Sequence, residues 1–579
     1  MVARSVQHTF QKARAAGGAA HAMCYIFRVS EELLSETTPI PRTSNLPLLS
    51  AAGLQRGMVA VATGLCLFAL LSVYRHQLIP RDADPVRAAL LLTGDEPEYL
   101  LMAQAIARGD GLDVGPAYAA KTYLAYQQRP VFRFEDQFRR SYYERRGFRP
   151  LWRGAAVWKE GRITQFSPLF PALLAPVVGS TSRIRWAACL LQAALVAACA
   201  VAILMHAGVH SPASGTVHAA AALAFGLGGI PAGYYASQIF PEILAGLLLL
   251  LFLFLFSAAG PAVRSFALLC LLSSLWATPR VVGGVAAATA ALLWRQRTSP
   301  RSAEVALLGA GWLAYAIFNT AVWGNPLPPQ GTAVLGFAWS EVRALPAPLL
   351  VSAAAAAIWL VWIAVRNLKR VSRGRLVLAA AACLGVALLI SPGRRILANT
   401  AAFFFSNNVG LLVLNPFFVV AAAAGLALRE EDERREFPVW LALVAGLLLS
   451  VAVFDESRAG SCASGRYQVI TACALLFAPV RILAGRGLRP LPEWLPGMYL
   501  LGALSLAASL AVATRPNFWF RKYHPLFGFE PLQDFYPLLP DPGRWTFLPH
   551  AALWLSALLA LLLLPARLWR RWGQTQWSP

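Results

Sequence analysis

Apolar residues run along this chain in stretches of about 20, the length that crosses a hydrocarbon layer as a helix, with polar residues confined between them. The stretches fall near 56–74, 184–206, 215–235, 239–258, 263–279, 281–294, 303–323, 347–365, 376–391, 411–428, 437–454, 467–480, 496–514 and 549–566. By length and hydropathy these make about 14 candidate spans. The two on either side of Pro279-Arg280 are short and leave almost no loop. The pattern predicts an all-α polytopic membrane protein, with no internal repeat.

Composition supports the same class. Of 579 residues, 57% are hydrophobic and 14% charged, against about 25% charged in soluble domains. Mean hydropathy is +0.54. The net charge of +23 is what basic residues beside the spans produce through the positive-inside bias and anionic lipid. It is therefore not read as a nucleic-acid footprint. Basic clusters at Arg295, Arg297 and Arg301, at Arg366–Arg375, at Arg481, Arg486 and Arg489, and at Arg567, Arg570 and Arg571 all fall on one side, with the N-terminal tail. That side is expected to be cytoplasmic.

The long loops 75–183, 324–346, 392–410, 455–466 and 515–548 then face outward, toward the periplasm or exterior of an inner or plasma membrane. Residues 1–55 read as a cytoplasmic tail, and Pro39, Pro41 and Pro47 argue against a continuous helix there. No apolar core followed by a small-residue cleavage site marks a signal peptide. Cys66, Cys189, Cys199, Cys270, Cys383 and Cys473 lie in apolar stretches, and no CxxC spacing or histidine cluster suggests a zinc site.

One acidic run stands out, Gly94-Asp95-Glu96-Pro97-Glu98-Tyr99, just after the first span. Carboxylates beside a bilayer are costly, and those retained there tend to be functional. Tyr99, Met102, Ala103 and Ile106 keep helical spacing, so a helix begins at this run. Asp95 with Glu98 three residues on also has the form of a capping box. Cap and catalyst are compatible roles for Asp95.

These residues, with Gly109-Asp110-Gly111-Leu112-Asp113 beyond them, resemble the first outer loop of the GT-C-fold glycosyltransferases, in particular the protein O-mannosyltransferase and aminoarabinose-transferase-like group. Ile163-Thr164-Gln165-Phe166-Ser167-Pro168-Leu169-Phe170-Pro171 is similar to the segment leading into that group's second span. It lacks the His-Pro-Pro type motif of many members, so no role transfers there. Tyr234-Tyr235-Ala236-Ser237-Gln238-Ile239-Phe240-Pro241-Glu242 resembles the second outer loop, and Pro279-Arg280 a later outer turn. The resemblance implies a GT-C-like fold, with a membrane catalytic region at 56–428 and a C-terminal membrane region at 429–579.

It further implies an inverting transfer of a sugar from a polyprenyl-phosphate donor to an acceptor hydroxyl on the outer face. An acceptor hydroxyl is a poor nucleophile, and a positioned carboxylate relieves that by taking its proton. By motif match Asp95 is the general base, and Glu96 orients the acceptor or helps to hold a divalent cation. Glu242 is a second acidic residue at the matching position; a carboxylate favoured by a helix N-terminus is the alternative. Arg280 at the mouth of two spans either pairs with Asp95, Glu96 or a lipid phosphate, or snorkels to the interface.

Ala463-Ser464-Gly465-Arg466-Tyr467 partly matches a Gly-rich loop ending in Ala-Arg-Tyr, which makes Arg466 a candidate for the donor phosphate or an interfacial anchor. Tyr99, and Lys522 in the aromatic loop 515–548, complete the candidate substrate contacts. The basic, aromatic segment 129–162 either gathers an anionic donor or lies on the bilayer as an amphipathic segment. The expected partners are the lipid-linked sugar donor, a protein, lipid or glycan acceptor of the cell envelope, and membrane lipids. Two other functions fit the same composition: a lipid or glycolipid transporter or flippase, and a ligase or polymerase of surface glycans.

Overall fold

The computed structural model describes residues 51–78, 96–120, 167–178, 184–208, 213–236, 238–256, 260–296, 301–323, 326–327, 399–405, 410–430, 436–452, 468–485, 494–514 and 547–576. The chain divides into a unit Met1–Met58 and a unit Val59–Pro579. The first is described only over 51–58, where it is helical. Everything below concerns the second. Among the described residues the elements are helices, and no strand is formed.

The elements used below are α1 (Ala51–Leu78), α2 (Glu96–Arg108), α3 (Leu169–Val178), α4 (Ile184–Gly208), α5 (Ala213–Gly228), α6 (Pro241–Phe256), α7 (Pro261–Ala277), α8 (Val282–Gln296), α9 (Ser302–Trp323), α10 (Val419–Glu430), α11 (Phe437–Ala452), α12 (Gln468–Leu475), α13 (Phe477–Gly485), α14 (Leu495–Thr514) and α15 (Phe547–Gln576). Helix covers most of each predicted apolar stretch except 347–365 and 376–391, which lie outside the described residues. Among the described residues, four helical stretches are long and apolar enough to cross a membrane: Gly53–Ser72, Ala187–Ala207, Ser302–Trp323 and Gln468–Gly485. The other apolar helical stretches are shorter, 10–17 residues. One, α3, falls within the predicted outer loop 75–183: its sequence LFPALLAPVV is almost wholly apolar and buries Phe170, Leu174 and Val178.

Two predicted spans are broken rather than continuous. α5 stops at Gly228, and a single turn, Ala232–Tyr235, resumes after Gly229-Ile230-Pro231. The stretch at 411–428 is split by Asn415-Pro416 into Leu411–Leu414, a 3-10 turn Pro416–Phe418, and α10. Proline removes an N–H and disfavours helix in the residue before it, so both breaks lie at an X-Pro step.

A backbone group freed in an apolar interior must find a partner. α14 supplies them. Ile230 N–H donates to Ser509 Oγ at 2.8 Å, and Phe417 N–H donates to Ser505 Oγ at 3.1 Å. Each serine in turn donates to its own helix, Ser505 to Leu501 O and Ser509 to Ser505 O. The two serines are one turn apart and buried, so one face of α14 serves both breaks.

Elsewhere small residues let helices approach closely, as they do where two apolar helices meet in lipid. α8 and α11 cross at Gly283 and Gly446. A Cβ on Gly446 would come within 2.5 Å of the Gly283 carbonyl oxygen.

Candidate functional site

α2 begins at Glu96 with Pro97 in its first turn, where a missing N–H costs nothing. It ends in a Schellman arrangement. Gly109 sits at φ +85°, its N–H donates to Ile106 O at 3.1 Å, and Asp110 N–H reaches back to Ala105 O at 2.9 Å. Asp113 then accepts from Gly115 N–H at 2.8 Å, opening the short helix Gly115–Ala119. Thus Gly109-Asp110-Gly111-Leu112-Asp113 ends one helix and starts the next.

The inward face of α2 carries Tyr99, 2% exposed. Its ring meets Phe170 of α3 edge-on, with centroids 5.8 Å apart, and Phe240 in the same manner at 6.3 Å. Phe240 also stacks edge-on with Tyr235 at 5.7 Å. Edge-to-face pairs of this kind fix ring orientation as well as burying area. Tyr99 therefore joins the helix of the acidic run, α3 and the turn leading into α6.

That turn places Pro241 first in α6 and Glu242 in its first turn. Glu242 is 0% exposed and makes an ion pair with Arg280. Arg280 lies in the 3-10 turn Pro279–Val281 that links α7 to α8, where Thr278 Oγ1 accepts from the Arg280 N–H. Its side chain is 18% exposed. A buried carboxylate near a helix N-terminus is favoured by the dipole, and the guanidinium supplies its countercharge. Of the two side chains, that of Arg280 is partly exposed and that of Glu242 is not.

Arg280 pairs with Glu242, while the expected pairing with Asp95 or the Glu96 side chain lies outside the described residues. Asp95, Arg466 and Lys522 lie outside the described residues. Glu96 is placed by its backbone at the start of α2, with its side chain undescribed. Of the candidates, the structure thus brings Tyr99, Glu242 and Arg280 to one end of the helices α2, α6 and α7.

Two further polar residues at this end carried no sequence signal of their own. Gln192 of α4 donates its side-chain N–H to the Gln238 carbonyl, across from the turn that precedes Phe240. Gln192 Oε1 and both amide atoms of Gln238 are buried with no hydrogen-bond partner among the described residues. Each residue is 1% exposed. Buried carboxamides without partners are costly, and native folds rarely keep them without a use.

Among the described residues, no three or more His, Cys, Asp or Glu side chains gather as a metal site. No family model, curated protein or solved structure matches the chain.

Proposed function

We propose that the chain is a GT-C-like membrane glycosyltransferase of about 14 spans, by the length argument, acting on the outer membrane face. The observation that carries the proposal is the contact of Tyr99 with Phe240. Through it, the helix that begins at the acidic run packs beside the Glu242–Arg280 pair, so three motifs far apart in sequence share one neighbourhood.

In this reading Asp95 takes the acceptor hydroxyl proton as the acceptor oxygen bonds to the anomeric carbon. The bond from that carbon to the donor phosphate oxygen breaks, with inversion, and the lipid phosphate leaves with the bonding pair. Arg280 and Arg466 stabilise the charge that develops on it, in a site screened from water. Glu242 is a positioning residue that holds the Arg280 guanidinium. Glu96 orients the acceptor or, with Asp95, holds a divalent cation that would draw charge from the leaving phosphate. Gln238 offers a donor and an acceptor to a polar group entering the site.

The test is to incubate the purified protein with a panel of polyprenyl-phosphate sugars and follow donor loss, with Asp95→Asn as control. Donor loss that requires Asp95 supports the proposal. No donor consumed from any member of the panel, by a folded protein supplied with acceptor, counts against it.

The broken helices give the transporter or flippase reading an observation of its own, because proteins that move polar groups through lipid often interrupt helices near the midplane. Movement of a lipid-linked substrate across vesicles with no glycosidic bond formed would favour it. A ligase or polymerase of surface glycans would show itself by an acceptor that is lipid-linked.

A further inference from the structure

α12 carries two buried polar side chains that the proposed chemistry leaves unused. Gln468 is its first residue and Thr471 follows three residues on, so the two share one face. They are 3% and 1% exposed. Gln468 Nε2 donates to the Phe403 carbonyl at 2.8 Å, which fixes the carboxamide and assigns its other atom as the oxygen. Asn399, one turn before Phe403 in the helical stretch 399–405, donates to Ala452 O of α11 at 2.8 Å and holds that stretch in place. Gln468 Oε1 and Thr471 Oγ1 are buried with no hydrogen-bond partner among the described residues.

Thr471 differs in this from other hydroxyls in these helices. Thr63, Thr320, Ser505 and Ser509 each donate to the carbonyl four residues back in their own helix. Thr471 makes no such bond. A buried hydroxyl and a buried carboxamide oxygen on one face, both unmatched, are costly, and an apolar pair would fill the same space without that cost.

The helix packing places them. A Cβ on Gly246 of α6 would lie 2.8 Å from Cys473 Sγ and 3.4 Å from Ile470 Cα. Further along, Phe254 of α6 meets Phe477, just beyond α12, with ring centroids 5.0 Å apart. The two helices therefore run side by side in the same direction. The start of α12, with Gln468 and Thr471, lies at the same end as the start of α6, where Glu242 pairs with Arg280.

The two atoms also define what they can bind. Gln468 Oε1 only accepts a hydrogen bond, whereas the Thr471 hydroxyl has a proton to give. A hydroxyl group satisfies both, giving one hydrogen bond and taking the other. An ionised phosphate oxygen brings no proton for Oε1, and an ammonium has no lone pair for the Thr471 O–H. We propose that Gln468 and Thr471 bind one hydroxyl of the donor's sugar ring, an inference that rests on the transferase reading and adds a sugar contact to its site.

The experiment measures binding of polyprenyl-phosphate hexoses and pentoses, and of their monodeoxy analogues, to the full chain in detergent without acceptor. Wild type should bind one such donor, and one of its monodeoxy analogues about fivefold more weakly, the scale of one hydrogen bond between neutral groups. Thr471→Val, which keeps the side-chain shape, should be as stable as wild type, bind the parent donor about fivefold more weakly and no longer distinguish it from that analogue. Gln468→Met should behave in the same way, and Thr320→Val like wild type. Equal donor binding by wild type and Thr471→Val, as for a bound water alone, overturns the site and leaves the transferase reading standing. So does weakened binding in Thr471→Val that still distinguishes the analogue as wild type does. Binding of no donor by wild type overturns the sugar contact and the donor class together. The predicted pattern of binding without consumption of donor once acceptor is supplied would keep the site and overturn the transferase reading.

Discussion

Glu242 owes its place to Arg280, which lies 38 residues away in sequence. Removing one member of a buried ion pair leaves the other's desolvation uncompensated, at a cost of about 3 kcal/mol. We expect Glu242→Leu to lose about that much stability in a denaturant titration in mixed micelles, and Glu242→Leu/Arg280→Leu to lose less than the two single changes summed. Strict additivity would show that the pair contributes no coupling. Tyr99 separates ring from hydroxyl. Tyr99→Ala removes the edge contacts with Phe170 and Phe240 and should cost about 3–5 kcal/mol. Tyr99→Phe keeps both ring contacts, so lower transfer by that variant at matched stability would identify the hydroxyl as a substrate contact. Gln238 gives a different signature. Its carboxamide is buried without a partner among the described residues, so Gln238→Leu should leave stability unchanged or raised while raising KM for the donor or acceptor. A loss of stability with unchanged KM would make Gln238 structural.

The helices show what local pattern reveals and what it cannot. Pro97 and the spacing from Tyr99 to Ile106 mark the start and inner face of α2, and Gly109 marks its stop, because these signals lie within the element itself. The breaks at Pro231 and Pro416 were visible as prolines but sat inside apolar runs that read as continuous spans. Their compensation was not legible at all. Ser505 and Ser509 look like isolated polar residues in α14, and the N–H groups they accept from lie 88 and 279 residues away. α3 was equally hidden, since its 10 residues are too few for a span of about 20 and fall inside the loop 75–183. The serine contacts are testable singly. Ser509→Ala leaves the Ile230 N–H unpaired in an apolar interior and should cost about 1–3 kcal/mol. Ser509→Thr, which keeps a hydroxyl, should recover part of it. Equal stability in Ser509→Ala and wild type would mean that Ile230 finds another partner.

At the scale of the whole chain, ion pairs among the described residues join helices that are distant in sequence. One group has Glu242 with Arg280 near Tyr99; another has Arg264 and Arg301 on Glu304. Composition and hydropathy pointed to an all-helical membrane protein, and among the described residues only helices form, four helical stretches of which are long and apolar enough to cross a membrane. Neither indicated which charges would meet, because ion pairs depend on helix packing rather than on sequence distance. In the proposed function, the meeting of Tyr99, Phe240, Glu242 and Arg280 makes this end the place for transfer chemistry, with Asp95 assigned the proton. The most direct measurement of that account is sugar transfer from a polyprenyl-phosphate donor by purified wild type and Asp95→Asn, with insertion and thermal stability matched. The account predicts donor turnover by wild type and a loss of about a hundredfold or more in Asp95→Asn, the scale of general-base catalysis. Turnover at the wild-type rate in Asp95→Asn would contradict it.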